Sequence, residues 1–187
     1  LILLLASVAF ISCDDDADEE ISPYVGNYVI SKASLAETLT LSILPNGEIP
    51  VPENTDITQA IQTALLGSVN CVSADKSYIE LRKDNSMYLS CEGANPMNAG
   101  TWEELSAETL KLNMNNAAIP SSPTGFVLTV TEVNLSNNLL SGKTTVPMPK
   151  VMLAAMVAQI SGGLATLDDA NTPEALPVVF AIELTKK

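Results

Sequence analysis

The chain has 187 residues, 47% of them hydrophobic, 4% aromatic and 17% charged, a length that suits one domain with a real core and a composition outside that of disordered chains. It contains no histidine, which excludes histidine-ligated zinc, Ser-His-Asp and Cys-His catalysis and histidine pH switches. Nine Lys and Arg against 22 Asp and Glu give a net charge of −13, which argues against nucleic acid as a partner.

Leu1 to Ile11 is apolar except for Ser7. Eleven helical residues rise only about 16 Å, too little to span a bilayer core of about 30 Å. The length fits the apolar region of a secretion signal, which is removed from a mature protein. No basic segment precedes it, so the signal reads as N-terminally truncated. The stretch ends Phe10-Ile11-Ser12-Cys13, a small residue before a cysteine. This resembles a bacterial lipobox, in which the cysteine becomes the lipidated first residue. An ordinary signal followed by an incidental cysteine is the alternative.

Residues 14–20 hold six acids in seven positions. Without them the chain carries 16 acids against 9 bases, a net of −7, so the strong charge belongs to a solvated tail. Asp14, Asp16 and Asp18 fit the first three ligand positions of a calcium loop. The sixth position is Glu19 rather than Gly and the twelfth is Val25 rather than Glu, so no metal is expected there. An acidic run behind the lipobox cysteine resembles the export signal of Bacteroidota-type surface lipoproteins. That resemblance implies an outer-membrane protein anchored by lipid and exposed at the cell surface, or alternatively facing the periplasm. The domain reading is therefore 1–12 signal, 13–23 lipidated Cys13 with its acidic tether, and 24–187 folded body. With Cys13 assigned to lipid, Cys71 and Cys91 remain. Nineteen residues separate them, and export permits a disulfide between them. Two buried free thiols are the other reading.

The body reads as a β-meander with two helices. Gly26 to Lys32 opens it, and Leu39, Leu41 and Ile43 alternate with polar residues in a second strand. Pro45-Asn46-Gly47 marks a turn, and Pro50 and Pro52 break the chain before a helix. Asp56 with Gln59 forms a capping box for that helix, whose apolar face is Ile57, Ala60, Ile61, Ala64 and Leu65. Three hairpins follow. They are 78–82 with 86–91, 100–105 with 109–114, and 126–133 with 139–146, the last joined by Asn134 to Asn138. Val178 to Leu184 is the closing strand. Eight or nine antiparallel strands with short turns suit closure into a small barrel.

The order Cys71, Asp75, alternating strand, Asp84-Asn85 turn, strand, Cys91, then Gly100-Thr101-Trp102 and Leu110-Lys111-Leu112 resembles the lipocalin-like domains of secreted Bacteroidota lipoproteins. Gly26-Asn27-Tyr28 stands where such domains open with a Gly-x-Trp strand. The resemblance is clearest over residues 69–113. It implies a mainly β fold, an up-and-down meander closing into a lipocalin-like (calycin-type) barrel of eight or nine strands with two short helices. It implies no common ligand and no catalytic motif.

Candidate sites are few. Trp102 is the only Trp, read either as packing at the barrel base or as stacking on a ligand. Glu103 and Glu104 are adjacent and face opposite sides of a strand, so they cannot act as a pair. Residues 151–160 are apolar apart from Gln159. Leu153 and Met156 in that helix read either as a plug for one barrel end or as an adaptable wall for an apolar ligand. The expected function is a non-enzymatic surface lipoprotein with no cofactor and no metal, binding a small apolar or amphipathic ligand in its barrel. The alternative is a structural or accessory lipoprotein with a filled barrel that contacts another surface protein or a glycan.

Overall fold

The computed structural model describes residues 21–45, 47–66, 69, 71, 73, 76–115 and 125–187, with the side chains of 63–66, 126, 151, 155 and 159 outside the description. Cys13, the acidic run 14–20 and Asp75 lie outside the described residues. Eight strands form a closed antiparallel barrel: β1 (Gly26–Leu35), β4 (Ser77–Leu81), β5 (Ser86–Cys91), β6 (Met97–Ser106), β7 (Thr109–Met114), β8 (Phe126–Ser136), β9 (Leu139–Pro149) and β11 (Ala175–Lys186). Each pairs with its neighbour in chain order, and β1 closes the ring by pairing with both β4 and β11. Alternation explains the closure. Residues such as Ile79, Leu81, Met87 and Leu89 point into the ring, and Glu80 and Tyr88 point out.

Two connections are long, and both leave from the same end of the barrel. The first, between β1 and β4, contributes β2 (Leu39–Leu44), β3 (Gly47–Val51) and α1 (Thr58–Leu66). The second, between β9 and β11, contributes α2 (Lys150–Ile160) and the short β10 (Thr166–Leu167). They meet where β10 pairs with β2, giving a three-stranded sheet in the order β10-β2-β3. This cap has its own core. Leu41, Ile43, Val51, Ile57, Leu153, Met156, Val157 and Leu167 pack there with Ala33 and Leu35 of β1, Met148 of β9 and Phe180 of β11. Because the barrel strands supply part of that core, the cap is built onto the barrel rather than tethered to it.

Four sequence expectations are corrected. Leu39 to Ile43 forms a strand as read, but in the cap and not in the barrel. Pro50 does not end the strand region. It lies inside β3, an edge strand, where a missing N–H is tolerated. Asp56 does not open the helix. Its Oδ1 accepts from the backbone N of Thr58 at 2.8 Å and from Thr58 Oγ1 at 2.6 Å, and the helix begins at Thr58. The connection between β8 and β9 is not the five residues 134–138. β8 continues to Ser136, and Asn137 and Asn138 alone make the turn, at φ of 52° and 63°. Two consecutive left-handed residues match the right-handed twist of the flanking strands, and Asn tolerates them.

α1 is fastened along β1. The register of β1 on β11 slips between Ile30 and Lys32. Gln62 Nε2 donates to Ile30 O at 2.9 Å, beside the bulge. Gly100 in β6 sits at φ 134°, and a Cβ there would overlap the carbonyl oxygen of Asn113 on β7. Only glycine fits that crossing.

Candidate functional site

The barrel base is closed by aromatic side chains. Tyr28 is fully buried and donates its hydroxyl to Tyr24 O at 2.9 Å. Tyr24 in turn donates to Ala107 O in the β6–β7 turn at 2.6 Å. Trp102 is 3% exposed. Its Nε1–H donates to Arg82 O at 2.9 Å, and its backbone N donates to Asn85 O. An indole that is buried with its one donor satisfied is a packing anchor. Burial pushes the Tyr28 phenol up to about 12, with the Tyr24 phenol adding a smaller rise.

The interior above the base is occupied. Ile30, Met87, Leu89, Ala99, Val130 and Leu140 are each at most 3% exposed within the same cluster. An eight-stranded barrel is just wide enough for its own side chains to fill. At the other end, Leu153 is fully buried and Met156 is 3% exposed, both in the cap core. The structure therefore does not bring the three candidate ligand residues together. Trp102 belongs to the barrel cluster, and Leu153 and Met156 belong to the cap cluster.

Cys71 and Cys91 are joined in a disulfide. The barrel wall is low at β4 and β5, five and six residues against ten to twelve in β1, β9 and β11. The bridge pins the connection behind α1 to the end of β5 on that low side. Val69, in the same connection, packs against the barrel cluster. Closing a loop of this size restricts the unfolded chain by about 3 kcal/mol in the chain-entropy account.

A concave site of about 540 Å³ lies on the outside of the barrel, across β8, β9 and β11. Thr129 and Thr131 of β8 and Thr145 of β9 line it as exposed, outward-facing residues. Val127 and Val179 add apolar surface, and Glu37, from the turn after β1, also lines it. A bulge in β8 shapes the opposite side. The register on β9 slips between Thr131 and Asn134, and Glu132 sits at φ 54°. Gly142 stands across from the slip, where a Cβ would meet Val130 Cγ1 at 2.6 Å. The bulge turns Glu132 outward onto Lys143, whose Nζ lies 2.8 Å from one carboxylate oxygen and 3.1 Å from the other. That hydrogen bond, followed by the charges of Glu132 and Glu37, raises the Lys143 ammonium above its usual range.

None of these groove residues was a candidate in the sequence reading. A signal for the bulge was present. Inward residues run Leu128, Val130 and then Val133, Leu135, so the alternation changes phase at Thr131-Glu132. A phase change inside a strand is the mark of a bulge, and bulges re-aim side chains.

The fold defines a closed eight-stranded antiparallel meander barrel, consistent with a lipocalin-like architecture. No protein-family model matches the chain, and no curated protein matches it. Among the described residues, no group of three or more Cys, Asp or Glu is placed to hold a metal ion.

Proposed function

We propose that the protein is a non-enzymatic accessory lipoprotein, held at the outer membrane by lipid on Cys13, which acts through the outside of a filled barrel. The observation that carries this reading is the occupied interior. Tyr28, Leu89 and Leu140 are at most 1% exposed, Trp102 and Tyr24 close the base, and the cap core closes the other end. A small apolar ligand inside the barrel would have to displace side chains that already fill it. The partner of such a module is another surface protein or a glycan, met at its outer face.

The geometry of attachment supports this orientation. Tyr24, just before β1, donates its hydroxyl to Ala107 O in the β6–β7 turn, so the chain enters the body at the base. A tether running from Cys13 to Ile21 would then hold the base toward the membrane and leave the barrel wall and cap free. Cell fractionation tests the anchor. Cys13→Ala is expected to move the protein from the membrane fraction to the soluble fraction, because acyl chains supply about 0.8 kcal/mol per buried CH₂. Retention of the variant in washed membranes would contradict lipid anchoring at this residue.

A further inference from the structure

We propose that the outer groove across β8, β9 and β11 binds a neutral, hydroxyl-rich ligand, a short stretch of a glycan chain. This rests on the reading that the barrel acts through its outer face, and it names the class of ligand that face would take. The volume of about 540 Å³ falls within the ~300–1,000 Å³ of small-ligand sites.

The chemistry of the lining makes the choice. Thr129 and Thr145 present hydroxyls, which both donate and accept, as sugar hydroxyls do, and Thr131, whose hydroxyl donates to Lys143 O at 3.4 Å, keeps its acceptor capacity. The Lys143–Glu132 pair adds a fixed cationic donor beside a carboxylate acceptor. Val127 and Val179 supply apolar surface for the C–H faces of a sugar ring. The ion pair is neutral as a unit, and Glu37 leaves the site with one uncompensated negative charge. Together with the net −7 of the chain outside the 14–20 tail, that disfavours phosphates and acidic sugars. An added peptide strand is excluded by topology, because β8, β9 and β11 are each paired on both sides and offer no edge.

Backbone conformation gives independent support. Five described non-glycine residues have positive φ, and four of them are Asn, which tolerates it. The fifth is Glu132, the residue that fixes Lys143. A conformation disfavoured for Glu is thus held at the one place where it positions a charged pair in the groove, as expected where strain serves a site.

The test uses the full chain, isotopically labelled and solubilised in detergent, with backbone amide shifts followed by NMR. The probes are neutral hexasaccharides of glucose (α- and β-linked), mannose and xylose. A galacturonic acid hexamer and hexalysine serve as anionic and cationic controls. At least one neutral hexasaccharide is expected to give saturable shifts centred on residues 127–131 and 143–145. Lys143→Ala removes a charged hydrogen-bond donor and is expected to weaken that binding roughly tenfold or more. The double substitution Thr129→Val, Thr145→Val keeps the shape and removes two hydroxyls, and is expected to weaken it by a similar factor. These positions are exposed, and the unchanged amide spectrum of each variant away from the groove reports that it folds. Leu164→Ala, at an exposed cap residue, is expected to leave binding unchanged. The proposal is overturned if no neutral hexasaccharide shifts the groove amides, if hexalysine alone does so, or if the shifts centre elsewhere. Ligand entering the barrel would instead perturb amides around Leu89 and Trp102, and would overturn the filled-barrel reading separately.

Discussion

Leu153→Ala tests how firmly the cap is joined to the barrel. The side chain is fully buried in a cluster that includes Met148 of β9 and Phe180 of β11. Truncation removes three carbon groups at about 0.8 kcal/mol each, roughly 2.4 kcal/mol of transfer free energy. Barrel strands form part of the surrounding wall and limit its collapse, so a cavity contribution of up to about 2 kcal/mol is added. The expected loss is about 2.5–4.5 kcal/mol. Urea unfolding followed by far-UV circular dichroism reads it as a lower midpoint at constant slope. Leu164→Ala removes the same atoms from a residue that is 87% exposed, and is expected to cost less than about 0.5 kcal/mol. Hydrogen exchange across residues 150–160 separates two origins of the effect. In a cap continuous with the barrel, exchange there follows global unfolding in both the native chain and the variant. An unchanged global midpoint in Leu153→Ala, with exchange accelerated only in α2, would contradict a joined cap and make α2 an independent lid.

Three further expectations follow from single contacts. Cys71 and Cys91 should resist thiol labelling in denatured, unreduced protein, and replacing both with Ser should cost about 3 kcal/mol; labelling without reductant would remove the bridge. The phenol of Tyr28, raised to about 12 from 10.0, binds its proton more tightly folded than unfolded. The stability it contributes is therefore complete below pH 10 and lost as pH rises from 10 through 12, on the order of 1–3 kcal/mol. Tyr28→Phe should flatten that alkaline decline in a urea-midpoint series against pH, and an unchanged decline would assign it to other groups. Gly100→Ala should cost more than about 2 kcal/mol, because its Cβ would overlap Asn113 O and its φ of 134° disfavours any side chain; a shift in thermal midpoint of under about 2 °C would contradict the crossing geometry.

The barrel was legible because its signal is local. Hairpin 78–91 alternates cleanly about a short polar turn, and the structure keeps both it and the hairpin 100–114, whose turn is two residues, Ala107-Glu108. The cap was not legible. β2 looks like a barrel strand by alternation alone, and one of its two partners, β10, comes more than 120 positions later as two residues, Thr166 and Leu167. No periodicity operates over so short a segment. β3 was hidden by Pro50, which is read as a breaker until its edge position is known. The same limit applies to candidate sites. Trp102, Leu153 and Met156 attract attention by residue type, and the structure places all three in cores. The groove residues are ordinary Thr, Glu, Lys and Val on three strands and a turn. They become a site through a bulge, the β8–β9 register and the turn that carries Glu37.

The proposed function requires that no apolar ligand enters the barrel, where the described side chains Ile30, Met87, Leu89, Ala99, Val130 and Leu140 are each at most 3% exposed. Trp102 is the only Trp and sits within the barrel cluster, so its emission reports on anything that enters. The most direct measurement is a titration of the purified chain with a conjugated polyene fatty acid, exciting Trp102 and reading energy transfer to the bound probe. The account predicts no saturable transfer below the concentration at which the fatty acid self-assembles. Saturable transfer at one probe per chain would contradict it and return the function to the barrel interior.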